Sequence, residues 1–295
     1  MAAGPGASRG TRVPKRAPIA ISRRFTDTPL ARQHDHETSG RTSRRIPAIP
    51  WSRFDRSRYP LGALELAADA QRALALGEYG AIDLFARIAS GLCLCGAPLD
   101  LVTAAARIPA DEARHADYAL RMAGLCKGGD AGFELDPAPL AALWRDPIDM
   151  DRLDAVMVEV AAITETLAAA FIGACRERAT DPVVRALFTS IVGDEIHHAR
   201  LGWYYLAWRS PQWTRPERQR AADVAARVIV DVEPTFWRGR DAPRGCGRAA
   251  RALGVLDSKG QRVTLRRVMQ DEIVPALDAF GLGATHAWRA RRRGA

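Results

Sequence analysis

The text Asp-Glu-x-x-His-Ala occurs twice in this chain, at residues 111–116 and 194–199. Residues three apart on a helix lie about 60° apart around the axis and nearly one turn along it. Glu112 and His115 therefore project from one face, and so do Glu195 and His198. A carboxylate oxygen and an imidazole nitrogen placed this way can grip one metal ion. Two such helices face to face can grip two ions and share the carboxylates. Hard oxygen with borderline nitrogen suits iron or manganese. An all-oxygen set would favour magnesium or calcium, and a structural zinc site would draw on thiolates. The five cysteines (Cys93, Cys95, Cys126, Cys175 and Cys246) form no Cys-x-x-Cys pair, so a zinc ribbon or a four-cysteine iron site has no ligands. They read as reduced, buried thiols.

Helices must carry these residues. Residues 61–94 are rich in Ala and Leu at helical spacing, and Pro60 suits a helix start. A Gly-Ala-Pro break at 96–98 opens a second helical stretch to Leu125. Pro109 falls inside it, and residues 101–108 hold no turn signal, so one long helix with a kink is expected. Glycines and prolines between 126 and 149 mark a long connection. A third helix is expected over 150–178, a fourth over 182–208, and shorter ones near 216–232, 247–255 and 260–280. No useful length alternates as a strand, so the fold class is all-α.

Antiparallel pairing selects two more carboxylates. The turn between the third and fourth helices centres near residue 180. Glu195 lies about 22 Å beyond it at helical rise, and Glu165 lies the same distance before it. Glu159 falls about 9 Å off level, on another face. In the first pair, Glu78 matches Glu112 to within about 3 Å, while Glu65 is too remote. Glu78 sits among Leu76, Ile82 and Leu84, and Glu165 among Ile163, Leu167 and Ala168. Unpaired carboxylates there would be costly, and metal ligation removes the cost. The candidate ligand set is Glu78, Glu112, His115, Glu165, Glu195 and His198. Nearby Ala116, Ala162, Ala168, Ala169 and Ala199 either leave room for an organic substrate or let helices pack closely. His197 points away from His198; Tyr118, Trp203, Tyr204, Tyr205 and Trp208 read as packing. His34, His36 and His286 receive no role.

The order Glu, Glu-x-x-His, Glu, Glu-x-x-His resembles the ferritin-like superfamily of di-iron carboxylate proteins, over residues 61–209. Asp111-Glu112-Ala113-Arg114-His115 is similar to the Asp-Glu-x-Arg-His text of its oxygen-activating branch. In the second copy, His197 stands where the arginine would be. The resemblance implies a four-helix bundle with additional C-terminal helices, holding two Fe, or alternatively two Mn. It implies that Asp111 and Asp194 hold the outer nitrogens of the opposing histidines, with Arg114 beside them. It also implies O2, an external electron donor and a small organic substrate to hydroxylate, desaturate or N-oxygenate. Competing members of the superfamily are a manganese catalase, a peroxidase and a tRNA hydroxylase; a scaffold with an unused site is the non-enzymatic alternative. Iron storage fits poorly with the long 126–149 connection and the C-terminal extension.

The remaining composition sets bounds. The chain has 295 residues, 47% hydrophobic and 26% charged, enough for a sizeable core. The net charge is +9, and it is unevenly spread. Residues 1–50 carry ten basic and three acidic side chains, and 286–295 carry four arginines and no acid. The stretch between is near neutral. Residues 1–50 and 286–295 are therefore expected to be basic tails, the first disordered, around a 51–210 bundle and a 211–285 helical extension. Such tails can take nucleic acid by counterion release, but a solubility role is the favoured expectation. No run of about eighteen apolar residues is seen, so no membrane span is expected. Ser22-Arg23-Arg24-Phe25 opens like a twin-arginine signal, but no apolar stretch follows it. A cytoplasmic protein is expected, with its oligomeric state open and a dimer possible.

Overall fold

Residue 60 is a proline in extended conformation, and helix α1 (Leu61–Leu94) starts directly after it. Helix α2 (Leu99–Lys127) runs unbroken through Pro109 and ends at Gly128, whose φ of 80° closes the helix in the left-handed conformation. Helix α3 (Met150–Arg178) begins with the Asp149 side chain accepting from the Arg152 amide. Its middle, Met157–Thr164, is a π-helical segment. Helix α4 (Pro182–Arg209) is capped by Asp181, which accepts from the amides of Val183 and Val184. The computed structural model describes residues 19–22, 48–136, 149–238 and 246–291 of this all-α chain.

The apolar stripes of these helices meet in two clusters, one at each end of the bundle. One gathers Phe85, Ile88 and Leu101 with Met157, Ile163 and Leu201. The other gathers Leu64, Ala68 and Met122 with Val184, Leu187 and Ile191. The shared clusters show that α1 and α3 run antiparallel, as do α2 and α4. Between the clusters lies a buried polar layer containing the candidate ligands.

The C-terminal helices are α5 (Arg215–Arg238), α6 (Arg248–Ala252), α7 (Ser258–Val268), α8 (Val274–Ala279) and α9 (Ala284–Ala290), with a π-helical turn, Met269–Ile273, joining α7 to α8. They share the bundle's core. Ile229, Leu265, Met269 and Trp288 belong to the same cluster as Phe85. The Ala252 carbonyl accepts from the amides of Thr180 and Asp181, fastening α6 to the α3–α4 turn.

Two sequence expectations need correction. Two short strands form: β1 (Ile19–Ser22) pairs antiparallel with β2 (Gly132–Leu135), Ile19 opposite Leu135. Four residues are too few for alternation to be legible, and β2 is held from outside by Phe133 against Tyr79, ring centroids 5.5 Å apart. So the expected 1–50 tail contributes one strand, while 1–18 and 23–47 lie outside the described residues. The expected 286–295 tail begins inside α9, where Ala287 and Trp288 are buried; residues 292–295 lie outside the described residues. Helix α3 is also long and apolar enough by composition to cross a membrane, although its sequence holds no unbroken apolar run of that length. Its apolarity has a local reason, since α3 packs against α4, α5 and α7 and Met157, Val158, Ala161, Ala162 and Ile163 are fully buried.

Candidate metal centre

All six candidate ligands enter the same buried layer. One oxygen or nitrogen from each of Glu78, Glu112, His115 and Glu195 lies within 4.8 Å of the others, and so do atoms of Glu112, Glu165 and His198. The two groups share Glu112. His115 and His198 face each other, ring centroids 5.8 Å apart. His115 Nδ1 is 3.3 Å from Glu112 and 3.1 Å from Glu195. His198 Nδ1 is 3.2 Å from Glu112 and 3.7 Å from Glu195. Each imidazole thus points its Nδ1 at both Glu112 and Glu195.

The outer nitrogens have separate partners, crossed between helices. His115 Nε2 meets Asp194 at 3.3 Å, and His198 Nε2 meets Asp111 at 3.4 Å. Arg114 ties the two aspartates together, donating to Asp111 at 2.5 Å and Asp194 at 2.7 Å. Burial would raise the Asp194 carboxyl, but His115 and Arg114 outweigh it and hold it at about 2. An ionised carboxylate can only accept, so Nε2 carries the hydrogen and Nδ1 is left for the centre.

The electrostatics divides the carboxylates into two kinds. Burial, reinforced by the charges of Glu112 and Glu195, pushes Glu78 well above the usual carboxylate range. Burial and the same two neighbours raise Glu165. Glu112 and Glu195 are pulled down instead: burial opposes this, and the two histidines prevail. Burial would lower both histidines, yet the contacts with Asp111, Glu112 and Glu195 lift His198 to about 12, and Asp194, Glu112 and Glu195 lift His115 similarly. In the metal-free chain these shifts favour neutral carboxyls at Glu78 and Glu165 and charged imidazoles at His115 and His198. Divalent cations entering the layer would take over that positive charge and displace protons.

The polar atoms left without a hydrogen-bond partner fit that exchange. They include Glu112 Oε2, His115 Nδ1, Glu195 Oε1 and His198 Nδ1. Native interiors rarely leave such atoms without a directed hydrogen bond; these face one another at 3.1–3.3 Å instead and converge on one place with the chemistry of metal donors. Glu159, set aside on spacing, lies outside the layer and pairs with Arg227 at 2.7 Å. His197 is exposed. Tyr118 is buried against Trp51, ring centroids 5.8 Å apart. Tyr205 donates to Asp154 at 2.6 Å.

Sequence reasoning missed the support beneath Glu165. The π-helical segment ends at Thr164, immediately before it. Thr166 donates to the Ala162 carbonyl at 2.6 Å and accepts from Trp203 Nε1 at 3.0 Å. A Cβ on Gly202 would lie 2.3 Å from the Ala161 carbonyl carbon, so only glycine lets α4 approach the π segment this closely. A lone glycine inside a helix was the available signal; the π turn leaves none. No family model, no curated protein and no solved structure matches the chain.

Proposed function

We propose that the chain is a ferritin-like, non-haem di-iron oxidase or oxygenase acting on a small organic substrate in the cytoplasm. The carrying observation is the convergence of four donor atoms, none in a directed hydrogen bond, from two Asp-Glu-x-x-His copies, with Asp111 and Asp194 turning both Nδ1 atoms inward. Glu112, Glu195, His115 and His198 would hold the two ions, with Glu78 and Glu165 completing the set. The bound irons supply two-electron reduction of O2 and oxidation of a substrate beside them, with electrons returned by an external donor. The protein's part is positional. Arg114 and the two aspartates fix the imidazoles, and the apolar clusters above and below keep bulk water from the layer. The five cysteines are free thiols, as a reducing compartment would keep them.

The test is anaerobic ferrous loading of the purified full chain, followed by elemental analysis and exposure to O2. About two irons per chain, as a two-metal helical layer requires, together with O2 consumption are expected. Two manganese ions with peroxide disproportionation would transfer the chain to the catalase class. No stoichiometric metal under any loading would end the enzymatic reading.

A further inference from the structure

Glu165 sits on an irregular turn that its neighbours hold open. Its amide donates to the Val160 carbonyl, five residues back, and closes the last π turn. On one side, the Thr164 hydroxyl donates to the Glu159 carbonyl at 2.9 Å, also five residues back. On the other side, the Thr166 hydroxyl donates to the Ala162 carbonyl at 2.6 Å. Bonds from hydroxyl to carbonyl compete with the regular ladder and bend helices. An α turn in place of the π turn would swing Glu165 around the helix axis. The turn therefore decides where its carboxyl points.

Thr166 is tied to a group outside α3. A hydroxyl has one hydrogen, and that of Thr166 is committed to Ala162, so its oxygen accepts from Trp203. The indole nitrogen is a donor only, and it stands 3.0 Å away on α4. Trp203 is fixed in turn by the C-terminal helices. Its ring stacks on Phe280, with centroids 6.4 Å apart and planes at 10°. Phe280 directly follows α8, and its carbonyl accepts from Arg218 Nη1 of α5 at 2.9 Å. Arg218 Nη2 donates to the Ser210 carbonyl, at the end of α4, at 2.8 Å. One guanidinium thus fastens the Phe280 turn to the helix that carries Trp203. Glu112 and Glu195 each lie against both imidazoles, whereas the turn under Glu165 is held by this relay.

We infer that Trp203 is a positioning residue for the metal layer: through Thr166 it holds the turn that aims Glu165, and through Phe280 it makes that aim depend on the C-terminal helices. This rests on the proposed metal centre. The helices after α4 supply none of the candidate ligands, yet they set the direction of one.

The experiment is cobalt(II) titration of the full chain, read by visible absorption, which follows the geometry around the ion. The proteins are wild type, Trp203→Phe, Thr166→Val, Thr166→Ser and Phe280→Leu. Amide hydrogen exchange of the metal-free proteins is measured in parallel. Removing an outer partner of a ligand costs about 10–100-fold in metal affinity. Trp203→Phe keeps the stack and loses the N–H, and Thr166→Val loses the hydroxyl. Both should weaken cobalt binding by at least about tenfold and shift the absorption bands. Phe280→Leu should shift them in the same direction, and Thr166→Ser, which keeps the hydroxyl, should match wild type. In the metal-free chain, Trp203→Phe should speed exchange over Val160–Glu165 and leave Glu112–His115 unchanged. Should Trp203→Phe fail to fold, Thr166→Val carries the same test.

The inference falls if Trp203→Phe or Phe280→Leu has the bands and affinity of wild type, since the contacts are then packing alone. It falls too if Thr166→Ser behaves as Thr166→Val does. Normal cobalt uptake with unmoved bands would sink the relay and keep the metal reading. A wild-type chain that binds no cobalt, while Trp203 still controls exchange at Val160–Glu165, would sink the oxidase reading and support the hold of Trp203 on the turn. Unchanged exchange in such a chain would sink both.

Discussion

The α2–α4 half of the metal layer and the α1–α3 half are built to different tolerances. On the α2–α4 side the helices touch, the ligand side chains are 0–2% exposed, and every imidazole has a named partner on its outer edge. On the α1–α3 side a single glutamate comes from each helix, the helices separate, and the carboxyls are the more exposed ones. The lesson concerns division of labour. A centre that must keep its ions and still admit a reactant cannot be equally tight all round. Under the proposed function the tight half would supply the nitrogen donors and the buried ion network, and the other half the Glu78 and Glu165 carboxyls.

The contrast is broken most directly by removing ligands from each half. Glu112→Ala and His198→Ala should abolish stoichiometric metal uptake while the chain stays helical. Glu78→Gln, on the open side, should weaken uptake and leave a measurable fraction bound. Elemental analysis with circular dichroism distinguishes these outcomes. Equal loss from both halves would erase the distinction.

Acidity sharpens the same comparison. His198 is raised from its ordinary 6.5 to about 12 by Asp111, Glu112 and Glu195, against the pull of burial. A group raised on folding stabilises the metal-free chain fully below about 6.5, and that contribution drains away as the pH climbs toward about 12. The same protons must leave before metal enters, so uptake strengthens as the pH rises through this window. Melting curves of the metal-free chain and zinc titrations across that range should therefore run in opposite directions, with protons released on zinc binding.

Arg114→Met tests whether the tight half depends on its ion network. It leaves the facing carboxylates Asp111 and Asp194 without their shared cation, and breaking a buried pair costs about 3–5 kcal/mol. The corresponding change at the exposed Arg227–Glu159 pair, Arg227→Met, should cost at most about 1 kcal/mol. Chemical denaturation of both variants checks the ratio. Gly202→Ala falls between these two, since the new methyl meets the π-segment backbone. Overpacking of this kind costs about 1–3 kcal/mol, and it should disturb metal binding through Glu165 more than through Glu112.

The tight half was also the legible half. Glu-x-x-His spacing is a property of one helix, so Glu112 with His115 and Glu195 with His198 could be read directly. Glu78 and Glu165 needed a level argument across helices, which succeeded because both turns are short. Arg114 was visible only as part of a motif, and its bridge between the two aspartates depends on how closely α2 and α4 approach. The π segment was invisible because nothing in Met157 to Thr164, half of it β-branched, separates a π turn from an α turn; the close approach of Gly202 is a tertiary contact. Trp203 was overlooked for a related reason: an aromatic on an apolar helix reads as packing until its hydrogen bond to Thr166 is known. The strand pair depended on a contact between residues more than a hundred positions apart, and no local pattern encodes it.

The cluster that holds Phe85 also holds Trp288. During synthesis that end of the bundle cannot be completed until Trp288 has left the ribosome. The opposite cluster needs nothing beyond Val255 among the described residues. At about 5–20 residues per second, the nascent chain spends several seconds closed at one end and open at the other. The ligand layer sits between them, and in that interval its acidic groups are reachable from the side that seals last.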